Sequence, residues 1–562
     1  MDEQDLIFNC RNKKKIIILN GKEKFQIVDC LKENLRVYFH GEIYGTSLQN
    51  LKDSIVEKNA NFGNLFGRFI ILIHDLAKEE LSIHNDRYGL IPFYEYSTEQ
   101  EKYYSFQIKD LLQKNIAKKE LNYSSLSDLL AFCVPLEHKT LIQNVHSYKE
   151  GTCTKFDLKS MDSEQQSNWD IIKLMKGERL SFSKEKDTLL SIFEEGYTKT
   201  IMDDKINITF SAGVDSRCLF ALALFSYEKE KISNYNISVP GSRSQMYSKK
   251  ISEIFKVNYS GIELGAQFSS QYYLILKEIV ALTEGMTFAS EVEGTYLRNH
   301  VNKGKNSVML HGAFGELSKI YKMHHFFIEK NLEKKDRSYL IERLWSRFET
   351  RFNKIISIFS DEFQKQIAHA AKQNLTQKIT SIDTSLSNYD TLMLCYIQEY
   401  LERITKYSMS IWNDKIKTIL PFSYPQYVDF LLQLRKPDIM KAKFQIELLR
   451  RTNKTLFLFP DSNTGTRIGS SKIWNEAVHV YSWLEKKILG SQTMKEHSDP
   501  VYWLKNIQPS IEEILLTHCD ESIYKKEQLL KFIQNAKNGC IYTACSLQKI
   551  LLFEIWRKEF LV

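Results

Sequence analysis

The sequence predicts two domains: an N-terminal α+β sandwich of packed sheets, and a C-terminal α/β domain with a parallel sheet and a helical extension. Three observations predict this fold class. The chain has 562 residues, more than one ordinary hydrophobic core holds. Short apolar runs bounded by Gly, Asn and Asp fill residues 1 to about 160. From Asp187 onward helical and strand patterns alternate, which is typical of parallel strands joined by crossover helices.

The N-terminal apolar runs have the length and spacing of strands in packed sheets. We predict strands at Lys15–Leu19, Arg68–Ile73, Leu81–Ile83, Pro92–Tyr96 and Lys102–Phe106. A turn is predicted at Asn20-Gly21, and one helix near Ser125–Phe132.

A polar stretch from Ser160 to Glu185 separates the two patterns, and Asp162–Ser167 is its most loop-like part. We therefore assign residues 1–165 to the first domain, 166–186 to a linker and 187–562 to the second domain. The alternating core of the second domain covers about 200–325, and almost everything after residue 325 is predicted to be helix.

Composition excludes several classes of protein. Hydrophobic residues make up 43% and charged residues 26%, as in ordinary globular proteins. The net charge of +8 is spread along the chain, so we expect no nucleic-acid partner. No apolar stretch reaches about 20 residues, so we expect no membrane span. Nine scattered cysteines without a C-x-x-C pair predict neither a zinc site nor a disulfide framework, and a cytoplasmic location is expected.

A loop of small residues joins a predicted strand at 206–210 to a helix at about 216–230. It reads Ser211-Ala212-Gly213-Val214-Asp215-Ser216. Small residues let backbone N–H groups approach an anion, and the helix N-terminus adds the positive end of its dipole. An aspartate there repels an anion unless a cation lies between them, so Asp215 is interpreted as a Mg²⁺ ligand that bridges to phosphates.

A plain helix N-cap at Ser211 or Asp215, with no ligand, is the alternative interpretation of this loop. The loop lacks the lysine of the G-x-x-x-x-G-K-S/T motif, which disfavours a kinase or a GTPase.

The loop resembles the S-G-G-x-D-S pyrophosphate loop of ATP pyrophosphatases, with Ala212 in place of a glycine. Further blocks, over residues of about 35 to 470, resemble the asparagine synthetase family. They are His40–Gly45, Asn85–Gly89, Tyr148–Gly151, Asn236–Ser242, Val308–Leu317 and Pro421-Phe422. The resemblance implies an N-terminal domain of the Ntn glutaminase type and a C-terminal domain that adenylates a carboxylate, with ATP and Mg²⁺ as cofactors.

The resemblance also implies a set of site residues. Those that would hold the phosphates and Mg²⁺ are Ser211, Gly213, Asp215 and Ser216, with Glu316 as a second metal ligand. Those that would line the adenosine site are Phe210, Ile237, His311 and Gly312. The family has a lysine several residues after a Leu-Pro block that Phe459-Pro460 resembles. Arg467 stands at about that distance and is predicted to stabilise the departing pyrophosphate, with Lys472 as second choice.

Several residues in the first half differ from the family pattern, and these differences remove parts of the glutaminase chemistry. The family uses an N-terminal cysteine whose own amine serves as base, and residue 2 here is Asp2. Cys10 is the first cysteine, and His40 replaces the asparagine that supports the oxyanion in the family. We therefore predict a degenerate glutaminase-like domain that keeps the fold without hydrolysing glutamine.

The substrate segment departs as well. Residues 406–417 do not preserve the acidic and arginine positions of the family, so aspartate is not the expected substrate. β-Lactam synthetases and lasso-peptide cyclases also lack a working glutaminase, and Ala313, where the first group has tyrosine, disfavours that group. Glu284, Glu291 and Glu293 are interpreted as a solvated helix face, with an amine-binding site as the alternative.

The sequence thus predicts an ATP-dependent ligase that forms an amide, with Asp215, Glu316 and Arg467 as its catalytic residues. The expected carboxylate is a small molecule or a peptide, which a partner protein would deliver, and cyclisation of a peptide or secondary metabolite is the leading idea. An amidotransferase that uses free ammonia and a pseudoenzyme that binds nucleotide as a scaffold are the alternatives. Nothing in the sequence names the two substrates, the general base or the oligomeric state.

Overall fold

The computed structural model of the chain describes residues 4–562 except 12, 31–33, 202–204, 290, 302–306, 320–328, 330, 440–441, 463–464, 468–498, 518 and 540. Within that part of the chain no helix is both long enough and apolar enough to cross a bilayer. Asp2 and Lys472 lie outside the described residues.

The first domain contains eleven described strands in two sheets. The strands are β1 Leu6–Asn9, β2 Lys15–Ile18, β3 Gln26–Cys30, β4 Leu35–Ile43, β5 Gly67–Asp75, β6 Glu80–Asn85, β7 Tyr94–Ser97, β8 Glu101–Ser105, β9 His146–Ser147, β10 Thr152–Asp157 and β11 Ser163–Ser167. One sheet has the order β1-β2-β8-β7-β9 and the other β11-β10-β6-β5-β4-β3. The helices of this region are α1 Gly21–Lys24, α2 Leu48–Val56, α3 Ile108–Gln113, α4 Tyr123–Phe132 and α5 Ile171–Lys176.

The two sheets pack face to face because their strands alternate apolar side chains between two cores. Ile16 and Ile18 of β2 lie in the core between the sheets, whereas Ile17 lies in the core that the helices share. Helix α2 covers the outer face of the six-stranded sheet through Leu51 and Ile55. The layers are therefore helix, sheet, sheet, helix, and the predicted sandwich is confirmed.

One local prediction in this domain is wrong. Asp162–Ser167 is predicted to be the most loop-like segment, but β11 pairs antiparallel with β10 along its whole length. Every residue of β11 is exposed, so this edge strand needs no apolar side chain and carries no hydrophobic pattern. Asn20 lies in a turn, as predicted, with a left-handed φ of 52°, and it precedes the short helix α1.

The second domain is built on a parallel sheet of five strands. They are β12 Lys205–Thr209, β13 Ile232–Ser238, β14 Asn258–Glu263, β15 Ser307–Leu310 and β16 Thr418–Ile419. All described pairings are parallel, and the order is β14-β13-β12-β15-β16. The chain leaves β12 toward β13 and β14, while β15 and β16 lie on its other side. The direction in which the chain adds strands to the sheet therefore reverses between β12 and β15. At such a reversal point, open α/β sheets bind ligands beyond the carboxyl ends of their strands.

Helices make up nearly all of the remaining described regular structure, as predicted. In chain order they are α6 Phe182–Thr198, α7 Val214–Ser226, α8 Arg243–Phe255, α9 Ala266–Thr283, α10 Val292–His300, α11 Arg337–Ile356, α12 Asp361–Ile367, α13 Ala370–Ser381, α14 Asn388–Tyr396, α15 Glu402–Asn413, α16 Pro425–Gln433, α17 Lys436–Ile439, α18 Lys443–Thr452, α19 Lys454–Leu458, α20 Pro500–Lys505, α21 Ile511–Leu516, α22 Lys526–Asn538 and α23 Ile541–Phe560. A π-helical turn at Ile397–Leu401 leads into α15. The two-residue strand β16 was not predicted, and the domain boundaries stay a prediction.

Buried ion pairs join helix α15 to the first domain. Lys406 Nζ lies 2.6 Å from Glu150 Oε1, and both side chains are almost completely buried. Burial alone would raise the pKa of Glu150, but the charges of Lys406 and Arg403 outweigh it and hold that pKa well below its usual range. Arg403 also pairs with Glu399 at 3.1 Å. The position of α15 against the first domain therefore depends on paired charges that water does not reach.

We predict that Lys406→Met lowers the midpoint of thermal unfolding by several degrees. Removing one partner of a buried pair leaves the other charge uncompensated, at a cost of about 3–5 kcal/mol. The matched control is Lys155→Met, because Lys155 pairs with Glu80 at 2.9 Å while 54% of its side chain is exposed. That surface pair contributes about 0–1 kcal/mol, so its loss leaves the midpoint nearly unchanged. Equal midpoints for the two variants contradict the prediction.

Candidate active site

The phosphate-type loop follows β12 and leads directly into helix α7. Phe210 N donates to the carbonyl oxygen of Tyr235 at 2.7 Å, which fixes the start of the loop on β13. Ala212 has a φ of 56°, in the left-handed region, and this turns the backbone toward the helix N-terminus. Gly213 is the N-cap of α7 and its N–H donates to Ser211 Oγ at 3.3 Å. The loop thus points backbone N–H groups and the positive end of α7 to one place.

Asp215 lies in the first turn of α7 and is held by two groups from distant parts of the chain. Gln445 Nε2 donates to its Oδ1 at 3.0 Å, and Lys319 Nζ pairs with its Oδ2. Burial alone would lower the pKa of Lys319, but the charge of Asp215 and the hydrogen bond to it raise that pKa instead. The ion pair therefore keeps a positive charge beside the loop.

The loop after β15 approaches Asp215 closely. A Cβ atom on Gly315 would lie 2.7 Å from Asp215 Cγ, so only glycine fits there. Phe314 has a left-handed φ of 70°, and the 3₁₀ turn Gly315–Ser318 carries Glu316. Burial lowers the pKa of His311 to about 4, so its ring is neutral at pH 7. The backbone N–H of Ala313 donates to His311 Nδ1 at 3.2 Å, which leaves the proton of the neutral ring on Nε2.

These two loops form the wall of a cavity of about 470 Å³ at the reversal point of the sheet. The predicted site residues that line it are Phe210, Ser211, Asp215, Ser216, Ile237, His311, Gly312 and Glu316. Gly213 lies beside them as the N-cap of α7. Arg467 is exposed, forms a bridge with Pro460 and is not among the lining residues. The structure thus brings together all predicted binding residues but not Arg467, and the roles of all of them stay predictions.

The carboxylates of the cavity suit a Mg²⁺ ion that arrives with phosphate. No group of three or more His, Cys, Asp and Glu side chains within the described residues is arranged to hold a metal by itself. Mg²⁺ is usually held by one or two carboxylates together with substrate phosphates. Asp215 and Glu316 both line the cavity and meet that requirement. They would hold the ion, and Asp215 would first have to exchange its contact with Lys319.

Arg217 fixes the loop from behind and was missed by sequence reasoning. Its side chain is completely buried, and Nε donates to the carbonyl oxygen of Ala212 at 2.9 Å. Nη1 donates to the carbonyl oxygens of Leu456 and Phe459 at 3.0 and 2.8 Å. Burial lowers the pKa of Arg217 to about 10, so the group stays charged at pH 7. It ties the loop to the segment that leads toward Arg467.

The far end of the cavity is formed by α10, the π-helical turn and α15. Its lining residues are Glu291, Gly294, Leu297, Tyr400, Leu401, Ile404, Thr405, Ser408 and Trp412. The interpretation of Glu284, Glu291 and Glu293 as one solvated face is wrong for Glu284. Glu284 is buried and accepts the backbone N–H groups of Ile108 and Lys109, both at 2.8 Å, at the start of α3. Glu291 is half-buried and accepts a hydrogen bond from Ser408 Oγ at 3.2 Å.

Among the described residues of the first domain, His40 and Cys10 are both held by internal contacts. His40 Nδ1 lies 2.7 Å from the carbonyl oxygen of Lys24, and its ring packs on Phe106 at 4.6 Å between centroids. Burial lowers the pKa of His40, so the ring tends to be neutral. Cys10 is buried with its Sγ 3.3 Å from Met161 Sδ, and burial raises its pKa. The thiol therefore stays protonated at pH 7.

Comparisons with known proteins give two partial matches by sequence. Residues 52–169 match the family model of the glutamine amidotransferase domain. A stretch of 251 residues is 23% identical to asparagine synthetase [glutamine-hydrolyzing] 2 of Bacillus subtilis (strain 168). That stretch covers 39% of this chain and only 32% of the length of the relative.

Among solved structures, a similar chain is the glutamine phosphoribosylpyrophosphate amidotransferase of B. subtilis complexed with ADP and GMP. It is 10% identical, with 56% of this chain and 59% of that chain covered, and its TM-score of 0.15 is too low to bear on the fold. By sequence, then, residues 52–169 are similar to the glutamine amidotransferase domain, and part of the chain is similar to an asparagine synthetase.

Proposed function

We propose that the protein is an ATP-dependent ligase that adenylates a carboxylate and joins it to an amine. The observation that carries the proposal is the loop at the reversal point of the parallel sheet. It places backbone N–H groups, a helix N-terminus and Asp215 on one cavity that Glu316 also lines. The similarity to an asparagine synthetase over 251 residues supports the same chemistry.

The proposed reaction has two steps. A carboxylate oxygen of the substrate attacks the α-phosphorus of ATP, and the bond from that phosphorus to the bridging oxygen of pyrophosphate breaks. The amine nitrogen then attacks the acyl carbon, the bond to the AMP oxygen breaks, and the nitrogen loses a proton. Mg²⁺, when bound, neutralises phosphate charge in the first step. The 211–216 loop would orient the phosphates, and Ile237 and His311 would line the adenosine site.

The cation that assists pyrophosphate departure is assigned to Lys319 in this proposal. Negative charge grows on the leaving group, and a fixed positive charge in a poorly solvated site stabilises it. Lys319 has 23% of its side chain exposed and already contacts the proposed metal ligand. Arg467 lies two residues after Gly465, whose N–H donates to the carbonyl oxygen of Asp461 at 2.7 Å. Its role as a second cation stays a prediction.

The nitrogen is proposed to come from an amine substrate and not from glutamine. His40 Nδ1 is hydrogen-bonded to the carbonyl oxygen of Lys24, and Cys10 is a buried protonated thiol. The acceptor amine would then belong to a small molecule or a peptide, which includes closure of a ring within one peptide. Free ammonia is the second candidate, favoured by the similarity to asparagine synthetase. If the acceptor amine is on a peptide, a partner protein would deliver that peptide.

The test of adenylation is exchange of labelled pyrophosphate into ATP across a panel of carboxylic acids. We predict exchange that requires Mg²⁺ and falls at least about 10²-fold in Asp215→Ala, because the phosphates lose the cation that balances them. Asp187→Ala is the matched control, since 70% of the Asp187 side chain is exposed far from the loop in sequence. Exchange that survives in Asp215→Ala contradicts the proposal. Nucleotide binding without AMP formation, even in a lysate of the source organism, would favour a scaffold.

A second prediction concerns the first domain. The pure protein should release no glutamate from glutamine, with or without ATP and an acid that supports exchange. The physical reason is that a buried thiol with a raised pKa is a poor nucleophile. Release of glutamate above the rate of a protein-free blank would overturn this part of the proposal and leave the ligase chemistry intact.

A further inference from the structure

Gln445 connects the two loops that carry the carboxylates of the candidate site. It lies on α18 and is completely buried. Its Nε2 donates to Asp215 Oδ1 at 3.0 Å and to the carbonyl oxygen of Gly315 at 2.9 Å, and it also contacts Ser318 Oγ. Gly315 and Ser318 belong to the 3₁₀ turn that carries Glu316. One amide group therefore holds the first turn of α7 beside the turn of Glu316.

The two oxygens of the Asp215 carboxylate have different surroundings. Oδ1 is on the closed side, because a Cβ atom on Gly315 would lie only 2.8 Å from it and because the buried Gln445 holds it. Oδ2 contacts Lys319, whose side chain is 23% exposed. A metal ion that arrives with phosphate can therefore reach Oδ2 by displacing a partly exposed side chain, whereas reaching Oδ1 requires the displacement of a completely buried one.

The amide of Gln445 orients the carboxylate of Asp215 without neutralising its charge, because a glutamine N–H is an uncharged donor. A lysine or an arginine at this place would give Asp215 a second cationic partner and weaken its attraction for a metal ion. The opposite orientation of the amide would place its oxygen against the Asp215 carboxylate and the carbonyl oxygen of Gly315. Both of these groups only accept hydrogen bonds, so they require the N–H groups of the amide.

We propose that Gln445 is a positioning residue for the metal ion of the candidate site: it holds Asp215 Oδ1 so that Oδ2 points to the metal, and it keeps Glu316 at a fixed separation from Asp215. The inference rests on the proposed ligase function and extends it, since it assigns a residue that determines how tightly Mg²⁺ is bound. Removing a group that orients a metal ligand typically lowers metal affinity about 10–100-fold. When Lys319 leaves Asp215 for a phosphate, the hydrogen bond from Gln445 remains.

The inference is tested with Gln445→Met, which removes the donor and keeps a side chain of similar size. The probe is Mn²⁺ together with an ATP analogue that cannot be cleaved between its α- and β-phosphates, and free Mn²⁺ is measured by electron paramagnetic resonance. We expect Gln445→Met to weaken Mn²⁺ binding at least about tenfold. The matched control is Gln548→Met, because Gln548 is also a buried glutamine, lies on α23 and does not line the cavity. Its Mn²⁺ affinity should equal that of the unchanged protein.

A second measurement separates positioning from a general loss of structure. In the pyrophosphate exchange assay, Gln445→Met should raise the Mg²⁺ concentration for half-maximal rate at least about tenfold, and excess Mg²⁺ should restore most of the rate. A merely structural role would lower the maximal rate and leave that Mg²⁺ concentration unchanged. Gln445→Asn keeps the amide on a shorter side chain, which falls short of Asp215 Oδ1. It should therefore weaken Mn²⁺ binding in the same way.

Unchanged Mn²⁺ affinity in folded Gln445→Met, or no Mn²⁺ binding by the unchanged protein with the analogue, overturns the inference. Failure of both Gln445 variants to fold also overturns it, because the role of the side chain is then purely structural. If the Mn²⁺ pattern holds but no acid supports Asp215-dependent pyrophosphate exchange, the positioning role stands and the ligase function is wrong. If exchange depends on Asp215 but Gln445→Met changes neither Mn²⁺ binding nor the Mg²⁺ requirement, the ligase function stands and the positioning role is wrong.

Discussion

The structure of the candidate site depends on how the chain neutralises Asp215. A carboxylate inside a loop that gathers backbone N–H groups is favourable next to a helix N-terminus and unfavourable next to a phosphate. The protein surrounds it with Lys319 and Gln445, and it brings Gly315 so close that no side chain is possible there. Arg217 then fixes the loop from below. In the proposed mechanism, Asp215 would exchange its contact with Lys319 for one with Mg²⁺ when a phosphate binds.

The first domain influences the cavity although none of its described residues lines it. Helix α15 presents Ser408 and Trp412 to the cavity, and Lys406 of the same helix pairs with Glu150 of the first domain. The buried pair of Lys406 and Glu150 therefore fixes the position of α15 along the cavity wall and the face that this helix turns toward the cavity. The sandwich therefore has a physical task of its own here, because it holds the aromatic end of the cavity in place.

The parts of this structure that sequence reasoning predicted are encoded locally. The loop at 211–216 follows a buried strand and opens a helix, so its position at a sheet edge could be inferred from neighbouring residues alone. The sandwich was predicted from short apolar runs such as Lys15–Leu19, and the structure divides Ile16, Ile17 and Ile18 of this run between two cores. The resemblance to a known family added His311 and Glu316, which local chemistry alone does not connect to the loop.

The missed parts depend on contacts between distant segments. Gln445 reaches Asp215 across 230 residues and Lys319 across 104, and neither carries a local signal. Glu284 resembles a surface residue in sequence, but it is buried because two backbone N–H groups of α3 require an acceptor. β11 is exposed on both faces and so shows no apolar period. In each of these cases the structure is determined by contacts with distant residues and not by local secondary-structure propensity.

The most direct measurement of the central claim is a crystal structure of the protein with Mg²⁺ and an ATP analogue that cannot be cleaved between its α- and β-phosphates. The account predicts phosphate oxygens within hydrogen-bond distance of the backbone N–H groups of the 211–216 loop, with the metal between them and Asp215. It also predicts that Lys319 has left Asp215 for a phosphate oxygen. A nucleotide bound outside this cavity, or an Asp215 still held only by Lys319 and Gln445 beside a bound nucleotide, would contradict it.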